Sequence, residues 1–249
     1  MNKTILITGA TAGIGEATVE VFAQQGHRLI ITGRRQERLD ALVAKYDNDM
    51  LALCFDIRDQ AEVQRQVDNL PPEWKDIDIL VNNAGLAVGF NPIQEGFIDD
   101  WERMIDTNVK GLLYITRAIT PHMVERGKGG HIINVASIAG KEVYPNGNVY
   151  CASKHAADAL SKAMRMDLLP HKIKVTNVAP GLVETEFSVV RFKGDQDRAD
   201  NVYKGMQPLT GKDIADVIAY VASTPPHVTI NDIVVMPTAQ AASTQVFRE

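Results

Sequence analysis

Cysteine is nearly missing from this sequence: Cys54 and Cys151 are the two in 249 residues. Two thiols build no disulfide framework, and their separation lacks the short spacing of metal-binding pairs. Cys54 lies in the apolar run Met50 to Phe55 and reads as a buried strand thiol; Cys151, next to Tyr150, reads as a helix residue pointing elsewhere. The six histidines are scattered without paired spacing, so no catalytic metal is expected. Positive charge is not in excess either. With 26 Lys and Arg against 31 Asp and Glu, the net charge of -5 offers no basic face to nucleic acid or to an anionic membrane. No apolar run approaches the roughly 20 residues of a membrane span. The opening Met1-Asn2-Lys3-Thr4 passes straight into Ile5-Leu6-Ile7, too short for a signal segment. The expectation is a cytoplasmic protein with neither membrane nor nucleic acid as partner.

What is present is a rhythm. Short apolar runs at Ile5 to Thr8, Leu29 to Thr32, Leu51 to Phe55, Ile77 to Val81, His131 to Val135, Ile173 to Val178 and Ile233 to Met236 alternate with longer stretches of helical periodicity. The latter include Gly15 to Gln25, Gln36 to Lys45, Trp101 to Val124, Tyr150 to Leu169 and Lys212 to Ala222. Strands apolar on both faces and joined by helices imply an α/β fold, with a parallel sheet covered on both sides through right-handed crossovers. No linker, repeat or low-complexity tract divides the chain, so residues 1–249 read as one domain. One interval breaks the rhythm: about thirty residues separate Pro180-Gly181 from Gly211. A connection that long is usually functional, and 182–210 is expected to be a lid.

The first strand leads into Thr8-Gly9-Ala10-Thr11-Ala12-Gly13-Ile14-Gly15, which opens directly into a helix. Glycines there allow a tight turn and close approach to a pyrophosphate, whose charge the helix N-terminus stabilises. The spacing differs from the G-x-G-x-x-G dinucleotide fingerprint, but the position at the first strand-helix junction is the one a dinucleotide requires. At the end of the second strand, where an NAD site usually carries a carboxylate, stands Gly33-Arg34-Arg35. Two guanidiniums suit a 2'-phosphate, each charge-assisted bond being worth on the order of 1.5 to 3 kcal/mol. Cations at a helix start are disfavoured by the dipole unless an anion arrives, which favours NADP(H) over NAD(H).

Tyr150 is followed one helical turn later by Lys154, and Ser137 precedes it by thirteen residues. Positions i and i+4 share a helix face, so an ammonium there is expected to pull the phenol down from its usual value near ~10 toward working pH. A phenol so placed gives or takes a proton efficiently.

Together these residues resemble the short-chain dehydrogenase/reductase family: Thr8-Gly9-x-x-x-Gly13-Ile14-Gly15, Asn82-Asn83-Ala84-Gly85, Asn108, Ser137, Tyr150-x-x-x-Lys154 and Pro180-Gly181. Within it the chain is similar to the NADP-dependent 3-hydroxy acid dehydrogenases. That nearer likeness rests on Thr32 to Leu39, Asp78 to Ala87, Pro180 to Phe187 and Val190-Arg191-Phe192. The resemblance implies a Rossmann fold with a doubly wound, seven-stranded parallel sheet ordered 3-2-1-4-5-6-7. It implies a cofactor seat formed by Gly9, Thr11, Ala12, Gly13, Ile14, Gly15, Arg34, Arg35, Asp56, Ile57, Asn83, Ala84, Gly85, Tyr150, Lys154, Pro180, Gly181, Val183 and Thr185. Asp56 and Ile57 would flank the adenine, and Thr185 would meet the nicotinamide carboxamide. Ser137, Tyr150, Lys154 and Asn108 would be catalytic, with Ser137 stabilising charge on the reacting oxygen and Tyr150 moving the proton. Lys154 would hold the nicotinamide ribose as well, and Asn108 would support a water path to it.

A small hydroxy acid or aldehyde bearing an anion must be paired if it enters a closed site. Arg191 is the first candidate for that pairing, Lys193 the second, and Tyr144 a hydrogen-bond donor beside them; Ser137 and Tyr150 complete the substrate set. Malonic semialdehyde, the partner of 3-hydroxypropionate, fits this reading, as does serine. Sulfoacetaldehyde reduction to isethionate is the alternative, followed by broad carbonyl reduction and by a non-catalytic NADP-binding protein. The family suggests a homotetramer. The tail from Thr238 to Glu249 is open to two readings, closure of a neighbour's site or fraying.

Overall fold

In the computed structural model, which describes residues 2–249, the apolar runs become parallel strands. The sheet comprises β1 (Thr4–Ile7), β2 (Arg28–Gly33), β3 (Met50–Cys54), β4 (Ile79–Asn82), β5 (Gly130–Val135), β6 (Ile173–Pro180) and β9 (Asp232–Val235), in the order β3-β2-β1-β4-β5-β6-β9. This is the expected seven-stranded arrangement, every pair parallel. Side chains alternate across each strand, so both faces are apolar. Ile5, Ile7, Leu29, Ile31 and Val81 pack under α1 (Gly13–Gln24), α2 (Gln36–Lys45) and α9 (Gly211–Ser223) through Val19, Phe22, Leu39, Ile214 and Ile218. Leu6, Ile30, Leu80, Ile132 and Val175 face the other layer: α3 (Gln60–Asp68), α5 (Leu112–Arg126) and α6 (Asn148–Asp167), with Val63, Val67, Ile115, Ile119 and Met164. A single doubly wound domain results.

Three local features depart from the sequence reading. The stretch expected as one helix from Trp101 to Val124 is α4 (Ile98–Ile105), a π-helical segment Asp106–Gly111, and then α5. Helix α3 has no counterpart in the expected pattern. Cys54 is half-buried rather than buried; Cys151, on α6, is buried. The 182–210 segment is itself structured. It holds β7 (Val183–Glu184), α7 (Phe187–Arg191), α8 (Gln196–Asn201) and β8 (Leu209–Thr210), with β7 and β8 paired so that the segment leaves and rejoins the fold at one place. Among the described residues, no helix is long and apolar enough to cross a membrane.

Candidate active site

A cleft of about 550 Å³ runs along the carboxyl ends of the central strands, under the 182–210 segment. That is where a doubly wound sheet binds ligands, because the crossovers diverge there. At one end lies the glycine turn. Gly9 and Gly13 have φ of 66° and 55°, a conformation that side chains disfavour, and both line the cleft. Helix α1 starts at Gly13 with no side-chain cap on Ala12, so its first backbone N–H groups remain open to an anion. Gly15 does not line the cleft; a Cβ there would strike the Gly9 carbonyl oxygen and the Asn83 amide, which makes it a packing glycine. Asn83 fixes the turn by donating to Thr8 O at 2.9 Å and Gly9 O at 3.1 Å, and the Thr8 hydroxyl accepts from the Asn83 and Ala84 backbone.

The two arginines differ more than their adjacency implied. Arg35 donates to Thr11 through Nε and Nη2 and forms a 3.0 Å ion pair with Glu186, which also pairs with Arg38 at 2.7 Å. The anion that the start of α2 needed is therefore supplied, in part, by the chain itself. Hydrogen bonds from Arg38 and then Arg35 hold the Glu186 carboxyl below the usual range. Arg34 keeps a looser contact of 3.7 Å with Asp56. The Asp56 carboxylate is gripped by Arg58 at 2.6 Å. Burial works against its charge, yet the hydrogen bonds and charge of Arg58, aided by Arg34, keep its carboxyl low. Asp56 and Ile57 both line the cleft beyond Gly33, whose lack of a side chain makes room for Thr11.

Ser137, Tyr144, Tyr150, Lys154 and Arg191 converge at the other end, with Ala84, Gly85, Pro180, Gly181, Val183 and Thr185 around them. Ser137 stands just past β5, its Oγ accepting from Ala139 N at 3.1 Å. The expected effect of Lys154 on Tyr150 is not found. Lys154 Nζ is buried and donates to Val135 O at 3.0 Å, and burial lowers its ammonium to about 8. Burial raises the Tyr150 phenol above its ordinary value and the nearby Tyr144 adds to this, while a hydrogen bond with Ser137 and the charge of Arg191 pull it down. The opposing cation is thus Arg191, not Lys154. Asn108, in the π segment, also stays out of the cleft. Its Oδ1 accepts from Leu86 N at 2.8 Å, and its amide donates to Leu86 O and to Ser153 Oγ. Ser153 in turn donates to Tyr150 O at 2.8 Å, so Asn108 braces α6 from behind.

Arg191 is boxed by rings, its guanidinium carbon 4.7 Å from the centre of Phe90, 5.3 Å from Tyr144 and 5.5 Å from Tyr150. Nη2 donates to Tyr144 Oη at 3.0 Å, and its buried Nε has no partner among the described residues. Lys193 points elsewhere, paired with Asp100 at 2.7 Å. Phe90, Phe192, Tyr203, Glu186 and Gln240 line the cleft too and were not foreseen. Glu186 and Phe192 lie in stretches that carry the nearer likeness but had no role there; Phe90, Tyr203 and Gln240 lie in no motif, and long-range packing brings them in.

A parallel sheet with a glycine-lined crevice leading to a buried Ser, Tyr and Lys defines a dinucleotide-dependent oxidoreductase. Comparison with known proteins narrows this. Residues 3–196 match the short chain dehydrogenase family, and the chain belongs to that family. It is 48% identical over 238 residues to an NADP-dependent 3-hydroxy acid dehydrogenase of Salmonella typhi, covering 95% of this chain and 96% of the relative. It is 45% identical over 250 residues to a serine 3-dehydrogenase of Rhizobium radiobacter, the whole of both chains. A closed form of serine dehydrogenase complexed with NADP+ superposes with a TM-score of 0.94 at 46% identity, covering 99% of this chain and 100% of that one.

Proposed function

We propose that this enzyme moves a hydride between NADP(H) and a small hydroxy acid or its carbonyl partner, with 3-hydroxypropionate/malonic semialdehyde and serine as the leading substrates. The residues fit the cofactor: positive-φ glycines beside an uncapped helix start suit a pyrophosphate, Arg34 a 2'-phosphate, and the buried Lys154 ammonium a ribose diol. When bound, the nicotinamide supplies or accepts the hydride. The chain does the rest. Ser137 donates to the substrate oxygen as negative charge grows there, and Tyr150 delivers the proton, or removes it in the oxidative direction. Lys154 orients the ribose end, and Asn108 holds the backbone around Tyr150. Phe187, edge-on at 5.7 Å, and the rings around Arg191 keep water from the reacting atoms.

The observation that carries the acid preference is the unpartnered Arg191 Nε, a buried cationic donor beside Tyr150. A carboxylate one or two carbons from the reacting carbinol would satisfy it. The 182–210 segment, which carries Arg191, acts as a lid. NADPH oxidation with malonic semialdehyde and with sulfoacetaldehyde, compared by kcat/KM, tests this reading. A marked preference for the carboxylate supports it, and a preference for the sulfonate replaces it with isethionate formation. A homotetramer is supported by apolar residues left exposed on the monomer, including Leu113, Met166, Leu169 and Val234 on the edge strand β9. Sedimentation of a monomer at micromolar concentration would argue against it.

A further inference from the structure

The C-terminal residues pack back on their own fold. Residues 239–247 double back as a short hairpin, with Gln240 bridged to Val246, Phe247 N donating to Ala239 O at 2.8 Å and Ala241 N to Gln245 O at 3.0 Å. The hairpin touches the 182–210 segment at both ends. At the leading end, Leu182 N donates to Gln240 Oε1 at 2.8 Å, and Leu182 O accepts from Leu209 N at 3.0 Å. Gln240 is only 5% exposed and lines the cleft. At the trailing end, Arg248 donates to Lys204 O at 2.5 Å and Val202 O at 2.9 Å, and Glu249 N donates to Gly205 O at 2.9 Å. These carbonyls follow α8, where a helix end leaves acceptors open.

We propose that this hairpin is the clasp of the lid and that Gln240 and Arg248 are positioning residues for the substrate-binding arginine. The path from Arg248 to the site is continuous. Tyr203 lies between the two carbonyls Arg248 holds; its hydroxyl donates to Val183 O at 2.9 Å and meets Ser188 Oγ at 2.6 Å. Ser188 sits in α7 one turn before Arg191. Fixing 202–205 therefore fixes the face of α7 that presents Arg191, while Gln240 fixes the hinge from which the segment departs. The inference rests on the reading of 182–210 as a lid over an oxidoreductase site.

Arg248 is exposed, so its replacement spares the core. Arg248→Ala is expected to raise KM for the small anionic aldehyde about tenfold, with kcat and the NADPH dissociation constant within about twofold of wild type. Arg248→Lys, a single point donor in place of a fork, is expected to recover part of the loss. Limited trypsin digestion of the NADPH-loaded enzyme reads the lid without turnover: cutting at Arg198 and Lys204 is expected to quicken in Arg248→Ala and in Gln240→Ala. An unchanged KM in Arg248→Ala overturns the positioning role, whatever the cutting rate. Should wild type reduce no small aldehyde, the functional reading fails instead. Cutting rates then decide the clasp alone, with equal rates refuting it.

Discussion

Arg35 and Glu186, 151 positions apart in sequence, form a 3.0 Å ion pair that ties the 182–210 segment to the glycine turn through Thr11. Arg38 completes the same carboxylate, which leaves Arg34 as the guanidinium with the weakest internal commitment. Arg34→Ala is therefore expected to weaken NADPH binding by about tenfold or more while hardly changing NADH binding. Glu186→Gln releases two cations without removing any, and is expected to tighten NADPH binding at low salt with a steeper salt dependence. Fluorescence titration with both nucleotides checks these outcomes. Equal losses for NADPH and NADH in Arg34→Ala would assign the 2'-phosphate elsewhere.

Tyr150 is held protonated by burial, not made acidic by its helical neighbour. Reduction, which needs a phenol that can donate, is then expected to show no loss from Tyr150 titration between pH 6 and about 9. Oxidation needs the tyrosinate, and its rate is expected to climb with pH across that range. Tyr150→Phe removes the proton donor but no cofactor contact of charge, so turnover should disappear while the NADPH dissociation constant stays within about twofold. A phenylalanine variant with near-normal kcat would end the assignment.

The sheet was legible because its central strands are buried on both faces, so runs such as Ile5-Leu6-Ile7 and Ile30-Ile31 need no alternation to be seen. Helix α3 was not, since Val63 and Val67 are its only buried residues and two positions make no stripe. The glycine turn, Ser137, Tyr150 and Lys154 announced themselves by spacing. Their environment did not: that Lys154 turns to Val135 O, that Asn108 spends its amide on Leu86 and Ser153, and that Glu186 occupies Arg35 are products of tertiary packing. Spacing names residues that can meet and is silent about competing partners.

Arg191 offers the clearest test of substrate charge. A neutral aldehyde gains little from the guanidinium, whereas an anionic one gains a charge-assisted, partly buried bond. Arg191→Ala is expected to raise KM for malonic semialdehyde by about tenfold or more, against a change of about threefold or less for propionaldehyde. Tyr144→Phe removes one acceptor of the guanidinium and should produce a smaller shift in the same direction. Parallel KM increases for charged and neutral substrates would show that Arg191 only shapes the 182–210 segment.

His131 sets a limit on acid stability from the opposite end of the sheet. It is 3% exposed; its Nε2 lies 2.8 Å from Thr176 Oγ1, whose own proton goes to Ile230 O at 2.6 Å. Nε2 must therefore be the donor, and Nδ1 is a buried atom without a partner among the described residues. A second proton would place an N–H there with no acceptor. Burial, reinforced by the charges of Lys174 and Lys3, lowers the imidazolium to about 3. The unfolded chain binds this proton near pH ~6.5, so between those values it holds more protons than the folded one. Stability from this group is full above pH ~6.5 and is lost as pH falls toward 3, by about 3 to 5 kcal/mol in all. His131→Asn sacrifices packing at neutral pH but does not titrate. Urea unfolding of wild type and variant at pH 7, 6, 5 and 4 should show the stability gap closing as pH falls; a constant gap would mean that His131 is not the group responsible.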